Sequence, residues 1–349
     1  MLAIMLEKKE KAFAKALNHN NTEKYNTVLY YFYNTKIYNT VLYKLRPMNK
    51  TEFQLTPVEG GNFVGREALL KELVGELKNK NSRVGFCIYG RRRVGKTSVL
   101  TEVKRRLFSD RKIVVAYLSL YDLPDFSVKT FAEELVNAVL GAYEEKKIFS
   151  LGVKLNNLLN SSWEVIRELF RKSSVEVKIL EYIRILFNYR DIDRNKAEYL
   201  RHAFNIGETL ANATGTKCVI VLDEFPEVLK VENGMQLVKM LRTQYELQKK
   251  TVIVVSGSIT KTLKAVAIEE NSPFYKQLIP KHVLSFSYEE TREFLRIYFG
   301  KIEEEKVMAF YELTGGLPFY LQFIGRATKF EGDFETIVKN FITQEGNLF

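Results

Sequence analysis

Gly90-Arg91-Arg92-Arg93-Val94-Gly95-Lys96-Thr97 is the stretch that decides the fold. It has the spacing G-x4-G-K-[ST]. It follows a short apolar run, Val84 to Tyr89, and precedes a segment whose Val99, Leu100, Val103 and Leu107 share one helical face. Strand, glycine loop and helix in that order form a cradle for phosphate: backbone N–H groups at a helix N-terminus wrap the oxygens, and glycine stands where a Cβ would block close approach. On this reading Gly90, Arg91, Arg92, Arg93, Val94, Gly95, Lys96, Thr97 and Ser98 line the phosphates. Lys96 is expected on a solvated loop, its charge serving the β- and γ-phosphates, and the Thr97 hydroxyl completes a Mg²⁺ shell for which Ser98 is the lesser candidate.

Such a loop needs an acidic residue at the tip of another strand. Cys218-Val219-Ile220-Val221-Leu222-Asp223-Glu224 supplies five apolar residues and then two carboxylates. Alone, that pattern is an ordinary strand end; with the glycine loop upstream it is the second half of a site. Asp223 is assigned to Mg²⁺ through water, and Glu224 to orienting and polarising an attacking water. A third apolar run, Thr251 to Val255, leads into Ser256-Gly257-Ser258. If it lies between the other two strands, Ser256 faces the γ-phosphate; otherwise this is a plain Ser/Gly turn. Guanine fits badly, because Asp223 is followed by Glu-Phe-Pro and no Asn-Lys-x-Asp occurs downstream. Adenine, and hence ATP with Mg²⁺, is the expected ligand.

Outward from the loop, helical spacing begins near Arg66, a strand is expected over Ile113 to Leu120, and a helix over Phe131 to Val139 that Ser127 can cap. Leu237 to Leu247 reads as a helix and His282 to Phe286 as the last strand, before a capping box at Ser287-Tyr288-Glu289-Glu290. The expected fold is α/β: a three-layer parallel sheet of the P-loop NTPase type, with an additional catalytic-Glu strand and a C-terminal helical lid. The core spans 51–286 with a mostly helical insertion at about 141–213, broken by a strand-like alternation at Val175, Val177 and Ile179; the lid spans 287–349.

Residues 1–50 read as a separate N-terminal extension that packs poorly, since Tyr-Asn-Thr-Val-Leu-Tyr occurs at 25–30 and again at 38–43, a period that matches no solenoid. Nine Lys/Arg against three Glu give this extension +6 of the total +11, leaving +5 on the other 299 residues, which argues only weakly for a DNA-binding body. With 349 residues, 46% hydrophobic and 27% charged, the composition is that of a soluble globular protein, and no apolar run reaches the roughly 18 residues of a membrane span. Met1 to Leu6 is too short for a secretion signal, so a cytoplasmic protein without a membrane partner is expected. Cys87 and Cys218 form no CxxC pair and sit in apolar runs, and the three histidines have no ligand spacing.

Together these pieces resemble the archaeal ATPase family, a branch of the P-loop proteins close to the signal-transduction ATPases and to the origin-recognition and helicase-loading AAA+ ATPases. The resemblance runs from residue 62 to about 345. It rests on Asn62-Phe63-Val64-Gly65-Arg66-Glu67, the arginine-rich loop, Asp223-Glu224-Phe225, Ser256-Gly257-Ser258 and Thr314-Gly315-Gly316-Leu317-Pro318. It implies that Phe63, Val64 and Arg66, with Pro318 in the Gly-Leu-Pro turn, close over the adenine, and that Lys96, Asp223, Glu224 and Ser256 carry hydrolysis. Two departures stand out. Relatives often place an arginine where Ser272-Pro273-Phe274-Tyr275 continues into Lys276-Gln277, and they commonly continue past the lid into a winged helix, which this sequence is expected to lack. The implied activity is an ATP-hydrolysing switch acting on a protein partner; the alternative is an ATP-dependent DNA-binding initiator or mobile-element factor.

Overall fold

The computed structural model describes residues 53, 55–148, 196–258 and 260–331. The N-terminal extension with its repeat, the alternation at Val175, Val177 and Ile179, and residues 332–349 lie outside the described residues.

Strands that are apolar on both faces must be covered on both faces, which is the condition of a parallel sheet. Four such strands, β1 Gly85–Gly90, β2 Ile113–Ser119, β3 Lys217–Asp223 and β4 Thr251–Ser258, form it together with a largely exposed edge strand, β5 Leu278–His282. All neighbouring pairs are parallel, in the order β2-β3-β4-β1-β5, so β4 does lie between β1 and β3. The chain supplies its cover as helices α1 Glu67–Lys78, α2 Lys96–Phe108, α3 Val128–Glu145, α4 Lys196–Thr214 and α5 Gly234–Leu247. Phe86, Ile88, Val115, Val219, Val221, Val252 and Val254 turn to α1 and α2, and their alternates Cys87, Val114, Ala116, Cys218, Ile220 and Val255 turn to α3, α4 and α5. Both cysteines are buried and free.

Local signals set several boundaries. The Ser127 side chain accepts from Thr130 N–H to cap α3. The stretch read as an insertion begins inside α3 and ends inside α4, and both helices are part of the core. The last strand is Leu278–His282, not His282 to Phe286. Pro280 obscures it in the sequence, but a proline is tolerated on an edge strand. Of the apolar residues after it, Val283 stays with the sheet, its N–H donating to the Tyr89 carbonyl, Leu284 is exposed, and Phe286 serves the C-terminal helices, where it packs with Phe294, Leu295 and Leu321.

The C-terminal helices, expected above to act as a lid and called so below, are α6 Tyr288–Phe299, α7 Glu304–Thr314 and α8 Pro318–Glu331. A full capping box of Ser287 and Glu290 starts α6. Between α7 and α8, Gly315 and Gly316 take positive φ of 58° and 68°. A Cβ on Gly316 would lie 2.1 Å from the Phe286 carbonyl oxygen, so the turn is glycine-only and stays hydrogen-bonded to Phe286. Among the described residues no helix is long and apolar enough to cross a membrane.

Candidate nucleotide site

The site lies at the carboxyl ends of β1, β3 and β4, where parallel sheets bind ligands. After Gly90 the chain turns through Arg93 and Gly95, at φ of 68° and 89°, and enters α2 at Lys96. A Cβ on Gly90 would sit 2.4 Å from the Val283 carbonyl oxygen, so the start of the loop admits only glycine. Lys96 is not on a solvated loop. It is 5% exposed, and its Nζ donates to the carbonyls of Gly90 (3.5 Å) and Arg91 (3.2 Å) and to Ser258 Oγ (3.3 Å). Burial lowers its pKa, and the nearby carboxylates of Glu224 and Asp223 oppose that shift. Arg91, Arg92 and Arg93 are exposed.

Asp223 ends β3 on the face turned to α2, two residues beyond Val221, and this brings its carboxylate to Thr97. Thr97 Oγ1 donates to Asp223 Oδ2 at 2.9 Å, and the Tyr117 hydroxyl, from β2, donates to the same oxygen at 2.5 Å. Oδ1 accepts from Ser256 Oγ and from Glu224 N–H at 3.0 Å. Glu224 adopts the left-handed region at φ 49°, a strain typical of functional positions. Desolvation and the adjacent Asp223 raise its pKa, against Lys96. Its carboxylate thus favours a proton more than a free glutamate does, as suits a base.

Ser256 is fully buried on Asp223, and the residue at the tip of β4 is Ser258, the one that accepts from Lys96. On the far side of the loop, the Arg66 guanidinium donates to the Val94 carbonyl and, at 3.3 Å, to that of Leu284, and lies 4.8 Å from the Phe286 ring centroid. Burial lowers the Arg66 pKa to about 10, with Glu290 opposing. The Arg66 N–H donates to Glu290 Oε1 at 2.8 Å. Phe63 packs with Val94, Leu317 and Tyr320, while Val64 joins the lid cluster around Phe286. Pro318 begins α8. The structure therefore brings the loop, Phe63 to Arg66, and the Gly-Leu-Pro turn together.

The donors present suit Mg²⁺. The Thr97 hydroxyl hydrogen is engaged by Asp223, which leaves the oxygen's lone pairs for a cation beside a single carboxylate. Among the described residues no cluster of three or more His, Cys, Asp or Glu forms an all-protein cage. Mg²⁺ needs none, since it keeps waters and takes substrate phosphate oxygens.

Sequence reasoning missed Tyr117, Ser258 and Glu290. Only Ser258 carried a local signal, as the second serine of Ser-Gly-Ser; the other two reach the site through strand register and lid docking.

The profile of the family described as "ATPase domain predominantly from Archaea" matches residues 63–324. No curated protein matches the chain. Among solved structures, the Walker-type ATPase PABY2304 of Pyrococcus abyssi is similar with a TM-score of 0.61 at 18% identity, over 85% of this chain and 76% of that one. The Aeropyrum pernix ORC1 protein, solved in complex with DNA, gives 0.50 at 15% identity, over 83% and 68%. These likenesses are of fold: a P-loop NTPase of the AAA+ type with a helical C-terminal region.

Proposed function

This chain belongs to the family of ATPase domains found predominantly in Archaea, and from that premise we propose a Mg²⁺-dependent, ATP-hydrolysing switch. The observation that carries the reading is the Thr97–Asp223 hydrogen bond at 2.9 Å, with Lys96 and Glu224 beside it. Thr97 would hold Mg²⁺ through its hydroxyl oxygen, with Asp223 behind it taking the Thr97 hydrogen, and the ion when bound would offset the negative charge of the phosphate oxygens. The backbone N–H groups of Gly90 to Thr97 hold the phosphates, and Lys96 exchanges its carbonyl partners for β- and γ-oxygens. Glu224 orients a water and accepts its proton. Ser256 supports Asp223, and Phe63, Val64, Arg66 and Pro318 border the adenine.

Two bridges favour a switch over a simple hydrolase. Arg93 of the loop reaches the lid at Phe319, and Arg66 joins the loop carbonyl of Val94 to the lid carboxylate of Glu290. A change of phosphate state at the loop is thereby felt by α6 and α8. The output is contact with a cytoplasmic protein partner. Single-turnover hydrolysis in Mg²⁺ and in EDTA tests the reading: turnover requires Mg²⁺ and Glu224, and an undiminished rate in EDTA overturns it.

One observation favours a second reading, ATP-dependent association with DNA. Lys78, Lys80, Arg111, Lys112, Lys249 and Lys250 flank the turns that lead into β1, β2 and β4, at the amino ends of the strands, opposite the nucleotide loop. Among the described residues none of these six side chains has a partner. Duplex binding whose affinity falls steeply with salt, less steeply after Lys249→Ala/Lys250→Ala, supports it; no binding at low salt removes it.

A further inference from the structure

Asp223 is 3% exposed, and an ionised carboxylate so buried must be met by donors. It offers about four acceptor positions, and the structure fills them symmetrically. Ser256 Oγ and Glu224 N–H take Oδ1, while Thr97 Oγ1 and the Tyr117 hydroxyl take Oδ2. Three of these donors belong to the nucleotide loop and to the motifs after β3 and on β4. Tyr117 belongs to no motif.

Its position follows from register. Ser119 on β2 pairs with Asp223 and Tyr117 with Val221, so Tyr117, two residues earlier, shares the face turned to α2. Its half-buried ring packs against the cluster that contains Val99 and Val221, and its hydroxyl extends 2.5 Å from Oδ2. A ring locked by packing presents its hydroxyl at a fixed point. The last torsion of an aspartate is broad and roughly two-fold, so the carboxylate plane is set by its partners and not by its own rotamer.

We infer that Tyr117 is a positioning residue for the cation site, fixing the Asp223 carboxylate so that Thr97 keeps its hydrogen on Oδ2 and its lone pairs toward the cation. Thr97 has one hydrogen to donate. While the carboxylate plane is held, that hydrogen has one acceptor and the oxygen faces the metal. Without the Tyr117 hydroxyl, Oδ2 loses one of its two donors, the plane is held by three donors instead of four, and the acceptor of the Thr97 hydrogen is less firmly placed. No proton is transferred in this role. Supports that lie behind a metal ligand typically account for about 10–100-fold in metal affinity. The inference rests on the Mg²⁺-dependent reading above.

The test measures ADP affinity by calorimetry across a Mg²⁺ series and in EDTA, for wild type, Tyr117→Phe, Asp223→Asn and the double variant, with a melting curve for each. Tyr117→Phe removes one oxygen from a partly exposed ring and keeps the packing. The Mg²⁺ concentration giving half of the affinity gain is expected to rise about 10–100-fold in Tyr117→Phe, with ADP affinity in EDTA unchanged. Added to Asp223→Asn, the same substitution should change nothing further, because Tyr117 acts through Asp223. An unchanged Mg²⁺ midpoint overturns the inference, as does a loss of ADP affinity that is equal with and without Mg²⁺. Wild-type affinity that is flat in Mg²⁺ overturns the cation reading itself, an outcome distinct from either.

Discussion

The Arg93 guanidinium lies 4.2 Å from the ring centroid of Phe319, so the nucleotide loop touches the first turn of α8 directly. Arg93 also lies 5.9 Å from the Tyr320 ring, and it holds a left-handed backbone conformation. A loop residue kept at positive φ with its charge over an aromatic face transmits loop geometry to the lid.

That contact is worth about 0.5–1 kcal/mol, since Arg93 is exposed. Arg93→Ala should therefore speed amide hydrogen exchange in α8 about two- to fivefold in the nucleotide-free protein while leaving β3 and β4 unchanged. Exchange in α8 that does not respond would show that the lid is held by other contacts.

Lys96 bears on both binding and folding. Its buried ammonium is a cost, offset by carbonyl acceptors at Gly90 and Arg91. Lys96→Met fills similar volume without the charge, so the melting temperature should stay within a few degrees while nucleotide affinity falls about 100-fold or more. Calorimetry with ATP on the folded variant reads this. Retained affinity would falsify the phosphate-loop assignment.

Glu224 gives a pH prediction with a definite sign. Desolvation and Asp223 raise its pKa above the ordinary 4.5. A base must be deprotonated, so kcat/KM should fall as pH drops through this raised value, at higher pH than a free glutamate would give. The folded protein favours the protonated form, so this residue's contribution to stability declines as pH rises through the same value. Glu224→Gln should bind Mg²⁺-ATP, slow hydrolysis about 10²-fold or more, and lose the acid limb. Asp223→Asn should instead weaken the Mg²⁺ dependence of binding. An acid limb that persists in Glu224→Gln belongs to another group.

The parts legible in the sequence are those with local physical demands. Gly90 marks where a Cβ cannot fit and Gly95 a positive φ, Ser127 and Ser287 announce helix starts through bonds three residues away, and β3 shows as an apolar run ending in Asp223. What escaped depends on pairing across the chain. Tyr117 reaches Asp223 only because β2 and β3 pair in one particular register. The burial of Lys96 depends partly on Ser258, 162 residues away. The run from Val283 to Phe286 was ambiguous because lid packing and strand pairing both call for apolar residues.

Glu102 carries the last prediction. Its side chain is 1% exposed and ties together three segments. It accepts from Gly60 N–H at 2.8 Å, from Arg105 at 2.8 and 2.7 Å, and from Arg106 at 2.7 Å, while Arg106 reaches on to Glu67 at the start of α1 at 2.6 and 2.8 Å. The network therefore brackets Phe63 to Arg66, the strip that meets the nucleotide loop. Burial pushes the Glu102 pKa up, but the bonds from Arg105, Arg106 and Gly60 outweigh it and hold the carboxyl down to about 2. Removing one partner of a fully buried ion pair costs about 3–5 kcal/mol, because the other charge is stranded. Here both arginines reach solvent, at 47% and 28% exposure, so the loss should be nearer the 1.5–3 kcal/mol, roughly, of hydrogen bonds to a charged group. Glu102→Gln is thus expected to lower the melting temperature by several degrees at pH 7. The sign with pH follows from the depressed value: the contribution is complete above the ordinary 4.5 and fades as pH falls toward 2. The gap between wild type and Glu102→Gln should accordingly close over that window. A gap of the same size at pH 7 and near pH 2 would assign the loss to shape and not to the charge.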